Sequence, residues 1–328
     1  MSYLGTPAAA APITEAQAAA AIDARALRKS GAQTLTQPEI DQALANLGLP
    51  LASTAEAQAG TSNGRLMTAL RVAEAIAALQ APWPAGYISG LTVSRASTTT
   101  FAIAPGAARN EDAGTARNMT LAASITKSLS AWAVGTANGG LDTGAVAVST
   151  WYHVHLIRRD SDGVIDALYS LSSASPTMPS GWTARRRLGA FFTNGSSQIG
   201  PFIQTGDTFL WEAPVADVTA TNPGTAAVTR LLSVPTGSIV FPIVAWAISN
   251  ATSGSVPLLV SALAAPDNAP TTSLFTLLAG AANSGASGTV SEIPTNTSAQ
   301  VRTRLGVSGA SDTLRGTTLG WIDPRGKL

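Results

Sequence analysis

The sequence predicts a mainly β protein in which short N-terminal helices precede an antiparallel module of the sandwich or jelly-roll type. From Tyr87 onwards apolar and polar residues alternate with a period of two, and turn residues recur roughly every 8–14 positions. Before that point the chain has helical spacing and helix-terminating residues instead. We therefore divide the chain into a helical segment, residues 1–84, and a β-rich module, residues 85–328, with a further boundary considered near residues 213–227.

The first two predicted helices begin at capping boxes. Thr14 and Gln17 have the spacing in which each side chain bonds the other residue's backbone N–H, and Thr36 with Glu39 repeats it. Ser30-Gly31 ends the first helix. Gly48 ends the second, because glycine readily adopts the left-handed conformation that follows a helix.

A third helix is predicted from about Leu66 to Leu79. Its apolar residues recur at spacings of three and four, which is typical of a packed helical seam. The helix could pack on its own β module or around a threefold axis. We favour the threefold axis, because an alanine-rich segment of this length lacks the bulk for its own core. The predicted trimerisation and attachment residues are Leu66, Ala69, Leu70, Val72, Ile76 and Leu79.

Six strands are clearest in the β-rich module. They are predicted at residues 152–159, 163–169, 187–192, 239–246, 300–305 and 317–322. The stretch AGAANSGASG, residues 279–288, is rich in glycine, alanine and serine, and we expect it to form a surface loop.

The composition indicates a chain that buries much of its surface against neighbouring subunits. Only 12% of its residues are charged, about half the share in an average soluble domain. The net charge of +1 provides no field that would attract nucleic acid or an anionic membrane. Cysteine is absent, and no apolar run is long enough to span a bilayer. We therefore expect an oligomer without nucleic-acid binding or membrane insertion.

Two short patterns could hold a metal ion, and each has a structural alternative. His153 and His155 lie two apart on one predicted strand and point to the same face, but no third ligand lies near them in the sequence. Residues 160–166 match a calcium loop only in part, whereas Asp162-Gly163 between alternating runs is typical of a hairpin turn. We expect packing for the histidines, a hairpin for the aspartates, and no metal or other cofactor.

The sequence contains no evident catalytic cluster. Arg158-Arg159 and Arg185-Arg186-Arg187 would suit phosphate or an acidic sugar, but the neutral balance of charge favours a structural role on a sheet face or between subunits. No carboxylate pair stands out for glycoside hydrolysis, and nucleophile and phosphate-binding motifs are absent. We expect no enzymatic activity. Of the seven tryptophans, we expect most in the core and a few as exposed platforms for sugars.

Several stretches resemble bacteriophage tail proteins. Residues 54–79 resemble a tail-fibre segment of the form A-x-x-A-E-A-x-A-G-T, a polar gap, M-T-P-L-R and an alanine-rich helix, although Ala69 replaces the proline. Residues 35–49 resemble a second fibre element, L-T-x-x-Q-x-A-R-x-N-L-G, without its arginine. In the β-rich module, similarity to phage and prophage tail proteins is carried by residues 131–144 (AWAVGTANGGLDTG), 152–158 (YHVHLIR) and 319–326 (LGWIDPRG).

The resemblance implies a homotrimer in a virion tail, attached to other tail or baseplate proteins through its N-terminal segment. The β-rich module would then face a glycan or protein of the host cell surface, through residues that the sequence does not identify. The N-terminus lacks the basic start of a signal peptide, which agrees with assembly in the cytoplasm of the host bacterium. Two other functions stay open. One is a baseplate, collar or head-decoration protein without receptor binding, and the other is a polysaccharide-degrading tail spike.

Overall fold

A computed structural model describes residues 36–48, 51–60, 67–79, 82–112, 115–251 and 254–327. The chain forms two compact units, residues 1–81 and 82–328. The prediction of a mainly β protein with short N-terminal helices and antiparallel sheets is confirmed. The helix predicted from Thr14 and the predicted site residue Leu66 lie outside the described residues.

The described part of the first unit contains three helices, α1 (Gln37–Asn46), α2 (Thr54–Ala59) and α3 (Ala69–Leu79). The capping box at the start of α1 is confirmed, since the backbone N–H and the hydroxyl of Thr36 donate to Glu39 at 2.8 and 2.7 Å. A capping box of the same spacing, Ser53 with Glu56, begins α2, a helix that the sequence analysis missed. Helix α3 begins about three residues later than predicted.

Helices α2 and α3 pack against each other through small side chains. Ala57 on α2 and Ala75 on α3 are both buried, and Arg71 donates a hydrogen bond to the hydroxyl of Thr54. Because alanine lets two helices approach closely, the pair forms without a large core. Within the described residues no helix is long and apolar enough to cross a membrane.

The second unit contains four sheets among its described residues. The largest has seven strands in the order β10 (Trp182–Thr193), β8 (Thr150–Arg159), β9 (Ile165–Ser170), β7 (Asn138–Leu141), β6 (Ile125–Ala131), β3 (Thr100–Ile103) and β2 (Val93–Arg95). A three-stranded sheet has the order β1 (Ile88–Gly90), β4 (Gly106–Arg109) and β5 (Asn118–Leu121).

The other two sheets are formed by later residues. One has the order β11 (Phe202–Thr205), β12 (Thr208–Thr221), β19 (Thr313–Ile322), β14 (Phe241–Asn250) and β17 (Ser284–Val290). The other has the order β13 (Val228–Leu231), β18 (Gln300–Leu305), β15 (Val256–Ser261) and β16 (Leu277–Ala279). Two strand pairs, β6 with β7 and β7 with β9, are parallel, and the other described pairs are antiparallel. One sheet is curled into a half-barrel.

All six predicted strands are present, and β18 has the predicted bounds. The loop prediction for residues 279–288 is wrong for the second half of the stretch, because residues 284–288 belong to β17, which pairs with β14. Backbone hydrogen bonds need no side chain, so a run of small residues can complete a sheet beside a bulky neighbour. Strand β12 runs to Thr221, so the first part of the stretch considered as a boundary, residues 213–227, lies within a strand.

One main hydrophobic core connects the seven-stranded and five-stranded sheets and lies on both sides of residues 213–227. The fully buried Trp246 on β14 illustrates its packing. Its partners in register are Gly288 on one neighbouring strand and Gly316 on the other. A β-carbon on Gly316 would approach the indole to 2.6 Å. Gly316 therefore provides the space for this indole, and the core residues hold residues 82–328 together as one unit.

Candidate functional site

The outer edge of strand β10 is covered by two carboxylates. The Glu111 backbone N–H donates to the Arg185 carbonyl at 2.9 Å, and the Arg185 N–H donates to the Asp112 carboxylate at 2.8 Å. The Arg187 N–H donates to the Glu111 carboxylate at 3.1 Å. Exposed strand edges are templates for unwanted pairing, and these contacts occupy the donors of β10. They also hold the segment that contains Glu111 and Asp112 beside the strand.

A polar cleft of about 240 Å³ opens beside this covered edge. Asp160 follows β8, and Thr183 lies on β10, so the pairing of these two strands brings them together. The Thr183 hydroxyl donates a hydrogen bond to the Asp160 carboxylate. The residues that line the cleft are Asn110, Asp112, Thr115, Arg117, Asp160, Thr183 and Ala184.

Asn110 fixes one wall of the cleft. Its side chain is buried, and its amide donates to the Thr115 carbonyl at 3.2 Å. Its side-chain oxygen accepts from the Arg117 N–H at 2.7 Å, while its own backbone N–H donates to the Arg117 carbonyl at 3.1 Å. Because one buried residue bonds both Thr115 and Arg117, it holds this wall of the cleft in place.

The charges in the cleft are paired. The Asp160 carboxylate lies 3.5 Å from Nε of Arg117 and 3.6 Å from Nη1 of Arg158. The Asp112 carboxylate lies 2.5 Å from Nη1 of Arg185. The cleft therefore presents hydrogen-bond donors and acceptors without a strong net charge, an arrangement suited to a ligand rich in hydroxyl groups.

His153 and His155 are buried on one face of β8, next to the covered edge. Nε2 of His153 lies 2.9 Å from the Thr236 carbonyl, and Nε2 of His155 lies 3.0 Å from the Ser172 carbonyl. A carbonyl accepts only, so each ring carries its proton on Nε2. The described residues contain no group of three or more histidine, aspartate or glutamate residues that could hold a metal ion.

Burial lowers the pKa of His153 from 6.5 to about 4 and that of His155 to about 3. Arg187 opposes a positive charge on either ring. Between about pH 6.5 and 4, these histidines therefore bind protons in the unfolded chain but not in the folded protein. The free energy of unfolding should fall by on the order of a few kcal/mol as the pH drops through this window. Urea unfolding at stepped pH values measures this loss.

A matched variant isolates the histidines in that experiment. In His153→Gln/His155→Gln, each amide can keep the donated hydrogen bond but cannot titrate, so the loss between about pH 6.5 and 4 should largely disappear. Glu111 has the opposite effect on the free energy of unfolding as the pH falls. Burial raises the pKa of this carboxyl, so the folded protein takes up a proton there before the unfolded chain does. An equally steep loss in the double variant would assign the effect to other groups.

The hairpin predicted at Asp162-Gly163 is confirmed. The Gly163 N–H donates to the Arg159 carbonyl at 3.0 Å, where β8 turns into β9. The Asp162 carboxylate accepts two hydrogen bonds from the Arg159 guanidinium, at 2.9 and 2.6 Å. Asp166 lies in the sheet and faces Lys127 instead. The carboxylates of this stretch are therefore committed to internal partners and do not converge on one point.

The arginine triplet is likewise used inside the fold. Arg185 faces Asp112, Arg186 is fully buried, and Arg187 makes a two-pronged ion pair with Asp323. The three side chains thus form no exposed phosphate-binding patch. All seven tryptophans are described, and none is exposed, so the expected sugar platforms are not present. Trp182, Trp246 and Trp321 are buried.

The predicted trimerisation residues whose side chains are described are exposed. Ala69, Val72 and Ile76 are spaced by three and four and share one face of α3, where Val72 and Ile76 are 41 and 55% exposed. Leu70 is 64% exposed but points to another side of the helix. Leu79 ends the helix, and its side chain lies outside the described residues, as does all of Leu66. Ala75, which the sequence analysis did not select, is the buried residue of α3, because it faces the neighbouring helix.

Two buried ion pairs, Lys127 with Asp166 and Arg187 with Asp323, were not predicted from the sequence. The sequence does contain a signal for the Lys127–Asp166 pair. In the alternating pattern of β6, Lys127 lies at an inward position between Ile125 and Leu129. A charged residue at such a position requires a buried partner.

The comparison with protein families finds no matching family model, and the comparison with curated proteins finds no relative.

Proposed function

We propose that this chain is a non-enzymatic subunit of a bacteriophage tail fibre that forms a homotrimer. In this proposal its first unit attaches to other tail or baseplate proteins, and its second unit faces a glycan or protein of the host cell surface. The subunit is assembled in the cytoplasm of the host bacterium. The observation that carries the proposal is the exposed apolar face of α3, formed by Ala69, Val72 and Ile76.

Solvent exposure of Val72 and Ile76 on one face of a short helix favours a partner. Because each side chain is already about half buried, covering the rest would contribute on the order of 1 kcal/mol for each residue. Two stacked small helices bury little surface of their own, so the first unit gains most from a neighbouring copy. Symmetric homo-oligomers are the common way to bury such a face.

The second unit supports the same proposal through its low charge. Strands β14 and β17 contain no charged residue, and Arg315 is the only one on β19. On β14, Ile243, Ala245 and Ala247 alternate with buried residues and point away from the core. A sheet face of this kind suits contact with other virion subunits more than permanent exposure to water.

The absence of enzymatic activity is part of the proposal. In the cleft, Asp112 and Asp160 accept hydrogen bonds and face arginines, as structural or ligand-binding carboxylates do. Incubation with bacterial polysaccharide should release no new reducing ends. Release that stops in Asp112→Asn or Asp160→Asn would instead identify a polysaccharide-degrading spike.

Substitution of the α3 face tests the trimer directly. We expect the full chain to be a trimer in native mass spectrometry at micromolar concentration, and Val72→Asp/Ile76→Asp to be a monomer, because two buried charges would repel around the axis. Val307→Asp is the matched control, since Val307 has the same 41% exposure and lies in the second unit. A monomeric wild-type chain, or a trimer that tolerates both aspartates, would contradict the proposal.

A further inference from the structure

We propose that the polar cleft between Arg117 and Thr183 binds a neutral sugar residue of a cell-surface glycan. The inference rests on the proposed function, because it names the ligand class that the second unit recognises. It goes further by assigning the residues, which are Asn110, Asp112, Thr115, Arg117, Asp160 and Thr183.

Hydrogen-bonding capacity remains unused in the cleft. The guanidinium of Arg117 has five N–H donors, yet its described contact is the 3.5 Å ion pair between Nε and Asp160. The Thr115 hydroxyl has no hydrogen bond among the described residues. Among the described residues, Oδ1 of Asp160 has ion pairs at 3.5 and 3.6 Å, which exceed ordinary hydrogen-bond lengths. Arg117 donors and an Asp160 acceptor that are paired by charge but lack a hydrogen bond of ordinary length match two neighbouring hydroxyl groups of a sugar, each of which both donates and accepts.

The balance of charge selects a neutral ligand. An anionic group would approach the carboxylates of Asp112 and Asp160, and a cation would approach Arg117. A neutral polyol meets neither repulsion and loses no charge hydration on binding. Three cationic and three anionic side chains lie in or next to the cleft, namely Arg117, Arg158, Arg185, Glu111, Asp112 and Asp160.

The size of the cleft points to one sugar residue. Its volume of about 240 Å³ lies below the roughly 300–1,000 Å³ of sites for drug-sized ligands. No aromatic side chain among the described residues lines it, so ring stacking does not contribute and a single site binds weakly. Three copies in one fibre would raise the overall affinity through multivalency, provided that the glycan presents repeated residues.

Saturation-transfer NMR on the full chain tests the inference. The probes are the methyl glycosides of glucose, galactose, mannose and N-acetylglucosamine, with N-acetylneuraminic acid as the anionic comparison. We expect at least one methyl glycoside to bind, and Asp160→Asn and Arg117→Gln each to weaken it about tenfold, because each removes a charged hydrogen-bond partner. Asp267→Asn is the control, since it breaks a surface ion pair with Arg304 at 3.1 Å outside the cleft.

The inference is overturned if no methyl glycoside binds, if only N-acetylneuraminic acid binds, or if Asp160→Asn binds as well as Asp267→Asn. Thermal unfolding checks that each variant is folded. If Asp160→Asn unfolds, Thr115→Val replaces it, because this change removes one hydroxyl and keeps the shape. Native mass spectrometry of the same samples separates the two proposals. A trimer that binds no sugar overturns only the proposal of sugar binding in the cleft. A monomer that binds sugar overturns only the proposal that the chain forms a trimer.

Discussion

Replacement of Asp323 by asparagine is expected to lower the free energy of unfolding by about 3–5 kcal/mol. The Asp323 carboxylate is fully buried and accepts two hydrogen bonds from the Arg187 guanidinium, which is itself buried. Asparagine keeps the shape but leaves the charge of Arg187 without its partner. It also weakens the acceptor for the Arg325 N–H, which lies 2.8 Å from Asp323. Urea unfolding near neutral pH measures the loss.

Two further variants serve as comparisons for Asp323→Asn. Asp267→Asn breaks an ion pair of the same type at the surface and should cost no more than about 1 kcal/mol. Arg187→Met/Asp323→Leu removes both buried charges and should be more stable than Asp323→Asn alone. If Asp323→Asn costs as little as Asp267→Asn, the pair contributes no more than a surface contact.

The expected size of the effect follows from where Asp323 lies. It begins the segment Asp323–Lys327, which follows the last strand. The next charged residue, Arg325, donates to the carbonyls of Leu188 and Leu91 at 2.8 and 2.6 Å, and to that of Gly90 at 3.2 Å. Gly90 and Leu91 lie just before β2, and Leu188 lies on β10, about 100 residues later in the sequence. The last residues of the chain thus connect segments that are distant in sequence, so their loss affects the whole unit.

The sequence predicted the regular parts of this fold because their signals are local. The alternation that indicated β8 and β18, the capping box of Thr36, and the turn at Asp162-Gly163 each depend on residues that are close in the chain. The prediction for residues 279–288 was wrong for the same reason. Their composition is typical of a loop, and only the pairing with β14 makes them a strand.

The candidate site could not be predicted, because it is assembled from distant segments. Asp112 meets Arg185, and Arg117 meets Asp160, across sequence separations of more than 40 residues that only the folded sheet brings together. No motif in the sequence surrounds Glu111 and Asp112 that would distinguish them from other carboxylates. The exposed face of α3 is different, since its apolar spacing was visible from the start. What covers that face is set by other copies or partners, which a single sequence does not describe.

Lys127→Met is the second substitution with a large expected effect. Lys127 is fully buried, and its Nζ donates to the carbonyls of Ala133 and Gly135 at 2.7 and 2.9 Å. Nζ also lies 2.9 Å from the buried Asp166 carboxylate. Methionine fits the space but leaves the charge of Asp166 and two carbonyl groups without their donor. We expect a loss of about 3–5 kcal/mol near neutral pH, measured by urea unfolding.

Two further variants test whether the loss comes from the buried pair. Lys327→Met breaks a partly exposed pair with Asp207 and should lower the free energy of unfolding by no more than about 1 kcal/mol. Lys127→Met/Asp166→Leu removes both buried charges and should be more stable than Lys127→Met alone. A double variant as unstable as Lys127→Met would contradict this account, because an unpaired buried charge costs more than an apolar pair of similar volume.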